Sequence, residues 1–167
     1  PMLIFCLAEQ VEYNCTGTND VYYSDMGDLS PTETLTAQSQ MAVGTNASAG
    51  FVITALGAPL SAGTTTIPSL LTPTQSNPGV NQFGINLVAN SNPGIGLDPE
   101  GVWANATTAP DYGQADRYKF IDGDIVASSP NVSLMKKFTV SYIVNVSPSL
   151  KAGVYTTTIN FVASGRF

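Results

Sequence analysis

Few side chains in this 167-residue chain could do chemistry, and none of them is a histidine. Without imidazole the commonest general base is missing, and no serine stands in a strand–turn–helix nucleophile elbow. What remains is carboxylate chemistry. Asp98 and Glu100 in "LDPEG", with Asp122 and Asp124 in "DGD", are the residue types that could flank a glycosidic bond as an acid–base pair or offer oxygen ligands to calcium. "DGD" is far shorter than an EF-hand loop and suits a simple β-turn equally well. Loop acids in an acidic chain are mostly solvated. The expectation is a protein that is not an enzyme, with no catalytic, cofactor-binding or metal-ligating residue.

Cys6 and Cys15 are the only cysteines, nine positions apart. Zinc would want four N/S ligands, and two thiols in a chain without histidine cannot supply them. A local disulfide is the better reading, since "EYNCTGTND" contains the turn needed to bring the two cysteines together. A disulfide in a Ser/Thr-rich, lysine-poor chain points to an extracellular, cell-surface location. The start, "PMLIFCLAE", lacks the basic n-region and small-residue cleavage motif of a signal peptide, so the chain reads as mature or truncated.

Trp103, Tyr112 and Tyr118 flank Pro/Gly loops and suggest either a carbohydrate-stacking platform or, more plainly, aromatics covering one end of the fold. N-x-S/T sequons at Asn14, Asn46, Asn105 and Asn131 are candidate glycosylation sites, and a fifth stands at Asn145 just before Pro148.

The elements that must carry these residues are strands. Charged residues make up only 11% of the chain and hydrophobic ones 43%, and the rest is rich in Thr, Ser, Asn, Gly and Pro, which favours short strands and turns over helices. No apolar run approaches the roughly 20 residues of a membrane helix, so no membrane insertion is expected and the chain reads as soluble. Alternation is clearest in "KFTVSYIVNVSPSLKAGVYTTTINFVASGRF". Phe138, Val140, Tyr142, Val144 and Val146 share one face, and Tyr155, Thr157, Ile159 and Phe161 repeat the arrangement after the turn, which predicts a terminal antiparallel hairpin. "TLTAQSQMAV" and "GFVITALG" form a second hairpin candidate, and "NQFGINLVAN" a further strand with Phe83, Ile85 and Leu87 on one side. "RYKFIDGDIVAS" adds one or two more, and the Pro/Gly/Thr stretch from Gly57 to Val80 offers one short strand at best. Seven or eight short strands at this spacing predict a single all-β domain over 1–167, an antiparallel sandwich or barrel.

Charge is unevenly placed. Residues 1–116 hold ten acids and no Lys or Arg, whereas all six basic residues, Arg117, Lys119, Lys136, Lys137, Lys151 and Arg166, follow, so the two parts carry about −10 and +4. An acidic chain with scattered lysines lacks the basic stripe that nucleic acid would need. The asymmetry is compatible with head-to-tail self-association.

The fragments "FCLAEQVEYNCTG", "GDLSPTETLTAQSQMAVGTNASAGFVITALGAPLSAGTTTI", "PGVNQFGINLVANSNP" and "FTVSYIVNVSPSLKAGVYTTTINFVA" together resemble the Thr/Ser-rich secreted surface proteins of the candidate-phyla bacteria (Patescibacteria), over most of the chain. The closing "AGVYTTTINF" is similar, more loosely, to spore-coat protein U and chaperone–usher pilin subunits. That resemblance implies an immunoglobulin-like, pilin-like sandwich whose edge is completed by a neighbour's strand, and it transfers no functional residue.

The apolar N-terminal stretch is where this expectation becomes specific. Met2, Leu3, Ile4, Phe5 and Leu7 read either as a donated strand that enters the edge of another subunit or as the first strand of their own sandwich, tethered by the disulfide. The resulting functional expectation is a structural subunit of an extracellular filament or pilus-like fibre, a head-to-tail homopolymer. Its alternative is a monomeric cell-surface adhesion or carbohydrate-binding module with surface glycans as partners.

Overall fold

Alternating apolar residues put the chain into strands almost throughout. The computed structural model describes residues Pro1–Phe167. The strands are β1 (Leu3–Ala8), β2 (Leu35–Thr45), β3 (Phe51–Gly57), β4 (Leu60–Ala62), β5 (Thr65–Ile67), β6 (Gln82–Asn86), β7 (Thr107–Thr108), β8 (Ile125–Ser129), β9 (Ser133–Asn145) and β10 (Ile159–Gly165). The sole helical element is a single 3-10 turn, Pro110–Tyr112, and no helix is long and apolar enough to cross a membrane.

Eight strands build two antiparallel sheets, in the orders β1-β2-β9-β6 and β10-β3-β8-β7, while β4 and β5 form a separate ribbon. This is the expected all-β sandwich. The inward-facing residues of both sheets meet in one core that includes Met41, Val43, Phe51, Ile53, Phe83, Phe138, Val140, Val144 and Phe161. Phe83 and Phe120 pack edge to face, 5.3 Å between ring centroids, a contact worth about 0.5–1.5 kcal/mol beyond area burial.

Both expected hairpins are corrected by the connectivity. β2 lies in one sheet and β3 in the other, and β9 and β10 are likewise divided. The period-two pattern is right about which residues face inward, because Val144 and Phe161 do share the core, but they meet across it from opposite sheets. The connection after β9 holds Pro148 and Gly153 and is too long for a tight hairpin turn, which leaves the chain free to cross between layers. The stretch expected to hold one short strand at best forms the β4–β5 ribbon, turning at Gly63 with φ +60°.

β9, central in its sheet, is also covered on its outer face: Thr139 and Ser141 are buried as fully as Phe138. Part of that cover is the loop after β6. A side chain on Gly96, which has φ +88°, would collide with Ser141 Oγ and the Val88 carbonyl, so only glycine permits this approach. Reciprocal amide bonds fasten the same loop, Asn86 Nδ2 to Asn90 Oδ1 at 2.6 Å and Asn90 Nδ2 to Asn86 Oδ1 at 2.9 Å.

Candidate site of strand addition

The sandwich is incomplete along one side. β1 and β10 are the edge strands there, and β1 pairs with β2 only from Leu3↔Thr45 to Ala8↔Gln40. β2 continues through residues 35–39, paired with β9 on one side (Leu35↔Val144 to Ser39↔Val140) and with no strand on the other. No loop backbone bonds to that bare edge. β10 is similarly paired to β3 alone, leaving its outer edge free.

Between these edges runs a trench of about 1390 Å³. Its floor and walls include Leu35, Ala37, Tyr142, Val144, Ile159 and Phe161. The alternation explains the lining: the residues of β2 that would face the core at Met41 and Val43 face the trench at Leu35, Ala37 and Ser39. Ser39 and Ala37 are small, so the space opposite them is not filled from this side. Tyr142 and Ile159, expected in the core, are only half-buried for the same reason, whereas Val144 and Phe161 are buried as expected. A bare strand edge beside an apolar trench suits an extended segment, which can satisfy backbone groups and bury alternate side chains together.

The N-terminal residues read as a donor strand form β1 within their own chain. Leu3, Phe5 and Leu7 pack against the main core, while Met2 and Ile4 point outward and are exposed. The backbone N–H of Met2 donates to Asn46 Oδ1 at 2.6 Å, and Thr45 Oγ1 donates to the Met2 carbonyl at 2.8 Å. The expected disulfide is present, Cys6 to Cys15 with 5.8 Å between Cα atoms. It ties β1 to the following loop beside a small second cluster of Ala8, Val11 and Ala42.

The acids of interest each have a structural partner. Asp98 accepts from the Ala89 N–H (3.1 Å) and Asp122 from the Gly57 N–H (2.9 Å), while Glu100 pairs with Lys137 (3.2 Å). Asp124 receives Lys119 Nζ at 2.9 Å and the Tyr112 hydroxyl at 2.8 Å, and Asp111 takes the same lysine at 2.8 Å. Burial pulls the Lys119 ammonium down, but the hydrogen bonds and charges of Asp111 and Asp124 outweigh it, and its pKa ends above the ordinary value. A pocket of about 340 Å³ beside this cluster is therefore closed by a satisfied ion-pair network.

The suggested aromatic platform does not assemble. Tyr112 and Tyr118 are fully buried, while Trp103 is 86% exposed at the tip of its loop with φ +60°. The three aromatics thus neither form one stacking surface nor jointly cover an end of the sandwich. Asn14, Asn46, Asn105 and Asn131 all lie on the surface, with Asn105 Nδ2 donating to Asn131 Oδ1 at 2.9 Å, whereas Asn145 is completely buried. Sequence reasoning missed the bare half-edge of β2. Its only signal was that the alternation in β2 is longer than the apolar run able to cover it.

No protein-family model matches the chain, and no curated protein or solved structure matches it significantly.

Proposed function

We propose that this chain is a structural subunit of an extracellular cell-surface fibre, a homopolymer joined head to tail by addition of a strand from one subunit to the sandwich of the next. The observation that carries the reading is the apolar trench walled by the unpaired edge of β2 at residues 35–39. β1 is the donor: as an edge strand it can be exchanged between copies while keeping every register pair it makes at home. The slot it would leave is continuous with the trench, so an incoming strand could extend past Gln40 along the bare edge. The disulfide supports the extracellular setting.

Electron microscopy of the purified chain tests this, with fibres expected and dispersed monomers against it. Removing residues 1–8 should leave a chain that cannot polymerise, and a synthetic peptide of that stretch should restore its stability. Surface ion pairs are weak and screened, so the fibres should survive about 1 M NaCl. Dissolution in salt would favour an acidic-to-basic contact instead. The second reading, a monomeric adhesion module, draws its support from the exposed Val102 and Trp103.

A further inference from the structure

The trench has a cover, and the cover is poorly fastened. Residues 21–29, "VYYSDMGDL", pass along it, and Met26 packs against the main core cluster. The segment is tied at its start, where the Val21 carbonyl accepts the Glu9 N–H at 2.8 Å. From Tyr22 to Leu29 it makes no backbone–backbone hydrogen bond. Its side-chain bonds are local: the Tyr22 hydroxyl reaches Asp20 and the Gly27 N–H reaches Asp25. Asp25 and Asp28 form no ion pair, and Tyr22 and Tyr23 are 69% and 80% exposed.

Resting on the strand-addition reading, we propose that residues 22–29 are a displaceable strap that plugs the acceptor trench in the free subunit and lifts when the strand of a second copy enters. The physical asymmetry is plain. The strap offers the trench side chains only, and leaves the edge of residues 35–39 without hydrogen bonds. A strand offers the trench side chains and the edge a ladder, so it outcompetes the strap wherever it can reach. A second copy is the occupant because this chain already contains a strand whose alternate residues, Leu3, Phe5 and Leu7, fit the adjoining part of the same slot. Segments with few buried contacts and no backbone bonds open at low free-energy cost.

Two variants separate the strap from the trench. Met26→Ser removes the strap's apolar anchor. Gly27→Ala strains its turn, because Gly27 has φ +82° while a Cβ there would meet nothing within 4 Å, so the sandwich is untouched. A strap seated nine-tenths of the time lowers the apparent affinity of the acceptor about ten-fold, so loosening it should strengthen binding of a fluorescent peptide of residues 1–8 by up to about that factor. Fibre growth followed by light scattering should accelerate in step. If folded parent and variants take up peptide and grow fibres equally well, the strap does not gate the site and the inference falls while strand addition stands. If no folded chain, parent or variant, takes up peptide or forms fibres, strand addition falls and the strap falls with it.

Discussion

The hydroxyls of Ser39 and Tyr142 lie 2.8 Å apart on the wall of the trench, joining β2 to β9 at the point where β1 has already ended. Removing either partner should cost about 1 kcal/mol, the usual net worth of such a bond. In urea melts Tyr142→Phe and Ser39→Ala are expected to destabilise by similar amounts, and the double variant by less than their sum.

Alkaline pH should weaken the fold through its tyrosines. Burial pushes the Tyr142 phenol up to about 12 from its ordinary 10.0, against the opposing pull of the Ser39 hydrogen bond. Tyr112 is raised by burial and then by Asp124, and Tyr118 by burial and then by Asp116. In each case the folded chain holds a proton that the unfolded chain releases first. The stabilisation is therefore complete below pH 10 and is lost as pH rises, for Tyr142 between 10 and about 12. The Tm should fall steeply over that interval, and Tyr142→Phe should fall less steeply than the parent.

Phe161 forms part of both the core and the trench wall and is 8% exposed. Phe161→Ala should cost about 3 kcal/mol, the lower end for a buried phenylalanine, because the trench beside it lets the cavity relax. Chemical denaturation measures this. A loss within a few tenths of a kcal/mol would mean that Phe161 does not pack as described.

The Cys6–Cys15 bridge closes a short loop, so its removal should cost about 2–3 kcal/mol by the chain-entropy account. Unreduced peptide mass spectrometry should find both cysteines joined. In the Cys6→Ser/Cys15→Ser double variant, β1 keeps its register with β2 but loses its covalent tie to the loop. Hydrogen exchange at Leu3–Ala8 should therefore speed up more than exchange in β9.

Strands and their inward faces were legible because a half-buried strand must alternate, and Phe138, Val140 and Val144 do so without a break. Pairing was not legible. Alternation states that Phe161 faces a core without stating which sheet carries it there, and the same holds for β2 and β3. The burial of Ser141 and Asn145 was also hidden, because their cover comes from distant residues such as Asn90, Gly96 and Gln82. Of the candidate site, the apolar β1 could be read directly. The trench could not, since it is a shortage of pairing produced by strands that are far apart in sequence.

The division of neighbouring strands between sheets also sets how the molecule comes to be folded. Gln40 Nε2 donates to Thr139 Oγ1 across 99 residues of chain, and every pairing between β2 and β9 spans a comparable separation. Topologies dominated by such distant pairings fold at the slow end, roughly milliseconds to seconds, because long loops must close before any contact rewards them. Throughout that wait β2 can rely on β1 alone, leaving one whole edge and half of the other open to aggregation. The completed fold covers the first with β9. The second stays open as the half-edge at residues 35–39, a folding liability that persists into the native state.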